Sequence, residues 1–214
     1  MAKTLNFLKF DFLLLKSHSV AILILFVAGI FIGPLGYLIV ILIAMPYPFL
    51  AAEKNNLNVL YSVLPTTRKS IVLGRHLFAL ITVFVATLIS FLGSMLLPLI
   101  AKQDIVMNEN ILTLCLITAL SLIMTGIQYP LYFKLGYSKA RIISLIPVVI
   151  IFAVAMFITT VTKGLFGWNI DLTGMLDFVF KNAVLSCVVA LIVSILSICV
   201  SCVLSCKLYE KKDI

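Results

Sequence analysis

Residues 53–76 read EKNNLNVLYSVLPTTRKSIVLGRH, and this polar stretch between two long apolar runs decides how the chain is arranged. Leu57, Leu60, Tyr61 and Leu64 recur at helical spacing, which predicts one buried face of a short helix. Pro65 is expected to end that helix, because proline interrupts helical hydrogen bonding.

A second helix is predicted to follow the proline. Thr66 or Thr67 can cap it, which places Arg68 and Lys69 in its first turn. Basic residues in a first turn oppose the helix dipole, so a requirement other than local helix stability placed them there. We expect another protein to hold this pair of helices.

The composition places the chain in a membrane. Hydrophobic residues make up 63% of the 214 and charged residues only 11%. Soluble domains are about 45–50% apolar and about 25% charged. The net charge of +8 is spread among the apolar runs and forms no clustered basic face, which argues against nucleic-acid binding.

Six membrane spans are predicted. The uncharged run 19–52 would be about 51 Å long as one helix, against a hydrocarbon core of about 30 Å. The turn signal at 33–36 divides it into two short spans, and Pro46 and Pro48 should bend the second. The expected spans are 17–32, 36–52, 70–100, 111–131, 142–162 and 182–206.

The basic residues orient these spans. With both termini in the cytoplasm, only Lys102, Lys163 and Lys181 lie outside. The inner segments carry Lys3, Lys9, Lys16, Lys54, Arg68, Lys69, Arg75, Lys134, Lys139, Arg141, Lys207, Lys211 and Lys212. This bias follows the positive-inside rule, and one span over 19–52 would break it.

Two segments are expected to lie at the membrane surface. Residues 1–16 place Leu5, Leu8, Phe12 and Leu15 on one face, which predicts an interfacial helix; the alternative is the start of the first span. Residues 163–181 are expected to dip into the outer interface.

The predicted spans lack Asp, Glu, Lys and Arg near their middles, which argues against an ion-coupled carrier and a membrane enzyme. His18 and His76 lie at inner ends of spans, and two ligands make no metal site. Three cysteines share one face of the last span, where we expect them to serve helix packing beside the serines. They are Cys199, Cys202 and Cys206.

Aromatic residues and methionines of the second and fifth spans are candidates for a substrate path. They are Tyr37, Met45, Tyr47, Phe152, Met156 and Phe157.

The segment LYSVLPTTRKSIVLGRHLFALI resembles the signature of the small type-2 ABC exporter permeases, whose pattern Leu-Pro-x-x-Arg-Lys precedes the third span. Leu64-Pro65 and Arg68-Lys69 carry this pattern here. Among such permeases the chain is most similar to the membrane subunits of exporters for phenol-soluble modulins and antimicrobial peptides.

The resemblance implies an all-α domain of six spans that pairs with a second copy, as a homodimer or with a paralogue. It also implies docking on a separate ATPase subunit that binds ATP and Mg²⁺, because this chain has no Walker motif. The segment 53–70 would then contain the coupling helices, and 163–181 an outer lid. The expected coupling residues are Glu53, Tyr61, Leu64, Pro65, Arg68 and Lys69.

The expected function is therefore the non-catalytic permease subunit of an ATP-driven exporter in a bacterial plasma membrane. Its cargo would be an amphipathic peptide or another hydrophobic molecule. The alternative is a membrane anchor, immunity or sensor protein that transports nothing and binds a partner through the same inner surface.

Overall fold

A computed structural model describes residues 7–11, 13, 37, 41, 43–57, 67–101, 107–143, 146 and 181–211. Four helices organise these residues: α1 (Tyr47–Lys54), α2 (Arg68–Ala101), α3 (Met107–Leu135) and α4 (Ala183–Glu210). Residues 7–11 and 137–143 are also helical, and the described part of the chain contains no strand.

Three of the described helices are long and apolar enough to cross a membrane, over Arg68–Leu96, Asn110–Leu135 and Ala183–Glu210. They coincide with the predicted third, fourth and sixth spans. The first predicted span and nearly all of the fifth lie outside the described residues, as do the interfacial helix beyond 7–11 and 13 and the segment 163–180. The six-span arrangement therefore stays a prediction.

The short helix α1 begins and ends at residues suited to those places. Helical residues before it give way to a turn at Met45 and Pro46, which is where the prolines were expected to bend the chain. Pro48 lies in the first turn, where a missing N–H costs little. After Lys54 the chain leaves the helix through Asn56, which has a φ of +51°. Asparagine tolerates this left-handed conformation better than most residues.

The long helix α2 starts at Arg68, as the sequence predicts, and Thr67 is its cap. The backbone N–H of Ser70 donates to the Thr67 hydroxyl at 3.4 Å and to its carbonyl at 2.9 Å. Thr67 is therefore the cap of α2. Thr66, the other candidate from the sequence, lies outside the described residues.

Helix α3 ends at a glycine that turns the chain. Gly136 has a φ of +82°, and its N–H donates to the Tyr132 carbonyl at 3.0 Å. A left-handed residue at this place is a common helix terminator, and glycine adopts it without a Cβ penalty. The helical stretch 137–143 follows at once, so Gly136 redirects the chain at the end of a span.

Helices α3 and α4 make the most extensive contact among the described elements. The contact is close because Gly126 has no side chain: a Cβ there would overlap the Ser197 side chain and lie 3.2 Å from the Ser197 carbonyl oxygen. Small residues allow such approach between helices in lipid. The buried face of α4 consists of Ser194, Ser201, Ser205 and Tyr209.

The expectation that serines and cysteines would share this packing is only half met. Cys199 is exposed, and Cys202 and Cys206 are partly buried, although Cys206 does pack against the core. Serines, which are smaller than the neighbouring Val and Leu side chains, take the buried positions of α4, and the three cysteines are more exposed.

Hydroxyl groups connect three elements in the apolar interior. The Tyr37 hydroxyl lies 2.9 Å from Thr87 Oγ1 and 3.3 Å from Thr118 Oγ1, and the two threonine oxygens are 3.2 Å apart. Both threonines also donate to backbone carbonyls one turn earlier in their own helices. A polar group in an apolar interior is costly unless it is hydrogen-bonded, so this cluster fixes the three elements relative to one another.

Candidate functional site

Four helix ends meet at one end of the bundle: the C-terminal ends of α1, α3 and α4 and the N-terminal end of α2. We call it the charged end. A cavity of about 20 Å³ lies there, large enough for a water molecule. Its walls are Phe49, Ala52, Glu53, Arg75, Tyr132, Phe133, Gly136, Tyr137 and Tyr209.

Glu53 joins α1 to the chain that follows α3. Its carboxylate accepts hydrogen bonds from the Ser138 backbone N–H, at 3.0 Å, and from the Ser138 hydroxyl. Ser138 lies at the start of the helical residues 137–143. A negative charge is favourable at a helix N-terminus, where backbone N–H groups lack partners within the helix. Glu53 therefore caps a helix other than its own.

Arg68 joins the start of α2 to the end of α4. Its Nη1 donates to the carbonyl oxygens of Tyr209 and Glu210, at 3.0 Å each. The guanidinium carbon lies 6.0 Å from the centre of the Tyr209 ring. These carbonyls belong to the last turn of α4, where intrahelical donors run out, although the Lys211 N–H also donates to the Tyr209 oxygen. The first-turn arginine that opposes its own helix dipole thus complements the dipole of another helix.

Lys69 forms a second, weaker link to the same helix end. Its Nζ lies 3.4 Å from Glu210 Oε1, and both side chains are largely exposed. Exposed ion pairs contribute about 0–1 kcal/mol, because water screens them and ordering two long side chains costs entropy. Arg68, which bonds two carbonyls, makes the more directional contact.

Arg75 lies in the second turn of α2 and is 95% buried, since 5% of its surface is exposed. Its guanidinium carbon lies 4.3 Å from the centre of the Phe49 ring and 5.6 Å from that of Phe133. The two rings are themselves 5.0 Å apart and nearly perpendicular. Aromatic faces attract a desolvated guanidinium, so Arg75 connects α1, α2 and α3.

Asp11 is the buried acid of this region, with 2% of its surface exposed. Burial raises the pKa of its carboxyl from 3.8 to about 6, although the Arg75 charge acts in the opposite direction. Phe7, one turn earlier, belongs to the hydrophobic core. The helical residues 7–11 are therefore packed against the charged end through Phe7 and Asp11, and Lys9 points outward.

His76 is buried beside Arg75 and holds three helices together. Its Nδ1 lies 2.9 Å from the Val72 carbonyl and its Nε2 lies 3.3 Å from Ser201 Oγ on α4. Its ring contacts Tyr129 edge-on, with centroids 5.0 Å apart. In the described part of the chain, no group of three or more His, Cys, Asp or Glu residues is placed to hold a metal ion.

The predicted coupling residues divide into two groups. Glu53, Arg68 and Lys69 lie together at the charged end, where each contacts another part of the same chain. Tyr61, Leu64 and Pro65 lie outside the described residues, so their predicted contact with an ATPase stays a prediction.

The candidates for a substrate path also divide. Tyr37 and Met45 are buried; Tyr37 takes part in the hydroxyl cluster, and Met45 accepts hydrogen bonds from Thr125 and Tyr129. Tyr47 is partly exposed. None of these three lines the cavity at the charged end. Phe152, Met156 and Phe157 lie outside the described residues.

Sequence reasoning missed that Asp11 and Arg75 are both buried, close enough for the Arg75 charge to act on the Asp11 carboxyl. The sequence predicts Arg75 only as one of the basic residues of the inner surface, and the apolar pattern of residues 1–16 gives no place to Asp11. A signal was present, because Arg75 shares a helical face with Val72 and Ala79, which are buried. The pattern does not reveal which acid lies opposite.

The long apolar helices and the basic residues at one end of them define a helical membrane protein. A family model described as ABC-2 family transporter protein matches residues 6–210, nearly the whole chain. The chain therefore belongs to the ABC-2 transporter family and is a permease subunit of an ABC transporter, a class that works with an ATPase subunit. Neither the curated proteins nor the solved structures gave a match.

Proposed function

We propose that this permease subunit is part of an ATP-driven exporter that moves amphipathic peptides or other hydrophobic molecules out of a bacterial cell. A separate cytoplasmic ATPase subunit binds ATP and Mg²⁺ and docks on the segment 53–70. Two permease copies form the path, as a homodimer or with a paralogue. The chain lies in the plasma membrane with both termini in the cytoplasm.

One observation carries the proposal: residues near the two ends of the coupling segment contact the ends of the long helices. Glu53 reaches the chain after α3, and Arg68 reaches the end of α4. A protein that moves the segment between them can therefore act on several helices at once. This arrangement would suit a permease that takes its energy from a separate ATPase subunit.

The charges support a cytoplasmic position for the charged end. At the opposite end of the bundle, the described residues include one basic side chain, Lys181, which lies just before α4. The charged end carries Lys54, Arg68, Lys69, Lys134, Lys139, Arg141, Lys207 and Lys211. Lysine and arginine are enriched on the cytoplasmic side of membrane proteins.

The docking residues are Tyr61 and Leu64, which pack against the ATPase, and Pro65, which sets the turn. We expect Leu64→Asp to reduce co-purification with the ATP-binding subunit about tenfold or more, because it places a charge in an apolar contact. The subunit is sought in the adjacent reading frames and co-expressed with the tagged permease. Lys181→Glu, at the other end of the bundle, is the control, and unchanged co-purification of Leu64→Asp would refute the docking site.

Cargo and direction are tested in inside-out membrane vesicles. A fluorescent, 20-residue amphipathic helical peptide should enter these vesicles only with ATP and Mg²⁺, and should stimulate ATP hydrolysis. A complex that forms but neither transports the peptide nor responds to it would favour the anchor or sensor function.

A further inference from the structure

We propose that Glu53 and Arg68 are positioning residues that fasten the two ends of the coupling segment to two different helices. Glu53 fastens one end to the helical residues 137–143, and Arg68 fastens the other to the C-terminus of α4. The inference rests on the proposed function, and it assigns to these two charged side chains contacts within this chain that link the coupling segment to other helices.

Glu53 occupies a place that its own helix disfavours. It lies in the last turn of α1, where the carbonyl ends of the helix are negative. The same carboxylate accepts two hydrogen bonds from Ser138, at the positive end of 137–143. Gly136 makes this approach possible, because its left-handed backbone turns the chain towards Glu53.

Arg68 shows the converse arrangement. It lies in the first turn of α2, where a positive charge is unfavourable, and it donates to the Tyr209 and Glu210 carbonyls at the negative end of α4. A guanidinium presents several N–H donors in a fixed plane, so it can bond two carbonyls of one helix end. Lysine keeps the charge and N–H donors but lacks the planar group, so it would keep only part of this bonding.

The two contacts are alike in one respect: each charge is unfavourable in its own helix and favourable at the end of another helix. The gains and losses within a helix dipole are of similar size, so the contacts contribute little to overall stability. They do fix the spacing between the segment and two long helices. A pull on the residues between Glu53 and Arg68 is then passed to both helices.

Neighbouring charges provide matched controls. Lys54 follows Glu53 and is exposed, and Lys69 follows Arg68 and forms the exposed ion pair with Glu210. Lys54→Ala and Lys69→Ala therefore remove a charge from the same two places without removing a cap.

The test uses the complex with its ATPase subunit in nanodiscs. Hydrogen exchange is measured with and without ATP and vanadate, over 138–143 and over 205–211. In the wild type, trapping the nucleotide should change exchange in both segments. We expect Glu53→Ala to reduce that change about fivefold or more at 138–143 alone, and Arg68→Met to do so at 205–211 alone.

Conservative variants separate positioning from folding. Glu53→Gln and Arg68→Lys keep the volume and part of the bonding, so they should restore part of the lost response. ATP hydrolysis and co-purification should stay within about twofold of the wild type in all four variants.

Three results would count against the inference. Responses of Glu53→Ala and Arg68→Met equal to those of the lysine controls would overturn it while the proposed function stands. Loss of co-purification in the variants would place the two residues in the ATPase contact itself and also overturn it. A wild-type complex without any nucleotide response would overturn the proposed function, and the inference with it.

Discussion

Asp11 and Arg75 are charged side chains that the fold takes almost completely out of solvent. Burial of a charge is costly, and a buried pair often contributes nothing to net stability, because desolvation outweighs the attraction. The raised pKa of Asp11 shows this balance, since burial acts more strongly on it than the Arg75 charge does. We infer that the pair determines where residues 7–11 attach and contributes little to the free energy of folding.

The first prediction concerns pH. The pKa of Asp11 rises from 3.8 to about 6 in the folded chain, so the folded state favours the protonated carboxyl. The corresponding stabilisation is complete below pH 3.8 and is lost as pH rises towards 6 and above. At neutral pH the attachment of residues 7–11 should be weaker than at pH 4 by about 2 kcal/mol. Hydrogen exchange of these amides, corrected for intrinsic rates, measures the difference.

Asp11→Asn is the matched control for this pH dependence. The variant keeps the other ionisable groups near the same core, His76 and Arg75, and removes only the titrating carboxyl. Its exchange rates at residues 7–11 should depend on pH much less than those of the wild type. An equal pH dependence in both proteins would assign the effect to another group.

The second prediction concerns Gly136, whose φ of +82° disfavours any side chain with a Cβ. Gly136→Ala should destabilise the protein by about 1–2 kcal/mol through backbone strain. A steric clash is not the cause, because an added Cβ would lie 3.5 Å from Glu53 Oε2, which is an ordinary contact. Gly136→Asn should cost less, since asparagine tolerates the left-handed conformation. Thermal unfolding in detergent distinguishes the two variants, and equal losses would mean that strain is not the cause.

At the scale of the helices, the contact between α3 and α4 depends on Gly126. Gly126→Ala would push against the Ser197 side chain and backbone, so the two helices must separate by a few tenths of an ångström. We expect a loss of about 1–3 kcal/mol, as for other overpacked interiors. The unfolding midpoint in detergent measures it.

Ser197→Gly tests whether this contact is responsible. It removes the side chain that an alanine at 126 would meet, so the double variant should recover part of the stability lost by Gly126→Ala alone. Ile127→Ala, on a partly exposed side chain next to Gly126, is the control for helix packing in general. If Ser197→Gly brings no recovery, the strain lies elsewhere.

The sequence predicts helices better than it predicts their partners. The apolar runs and Thr67 locate α2 and α4 correctly, because length and caps are local properties. Which face of α4 packs is not local: Ser201 is buried and Cys199 is exposed, although both are small. The caps formed by Glu53 and Arg68 join residues far apart in the chain, so local pattern shows only that the charges oppose their own helices.

For the molecule as a whole, the testable property is its orientation in the membrane. In a variant without the five natural cysteines, Lys139→Cys and Lys181→Cys place single thiols at opposite ends of the bundle, where both positions are exposed. A membrane-impermeant maleimide should label Lys181→Cys in intact cells. It should label Lys139→Cys only after permeabilisation, because the charged end is expected to face the cytoplasm.

Denatured samples control for reactivity, since both thiols should then react equally. The opposite pattern of labelling would invert the topology and remove the charged end from reach of a cytoplasmic ATPase. Labelling of both thiols in intact cells would show that the two ends of α4 lie on the same side, which contradicts a membrane-spanning α4.

The length of α2 has a mechanical consequence. Its 34 residues extend over about 51 Å, well beyond a hydrocarbon core of about 30 Å. A helix of that length works as a lever: a turn of about 10° about the end that carries Arg68 displaces the far end by about 9 Å. If an ATPase docks on the segment 53–70, as we propose, a small movement at the Arg68 end of α2 becomes a displacement about as large as a helix is wide at the far end.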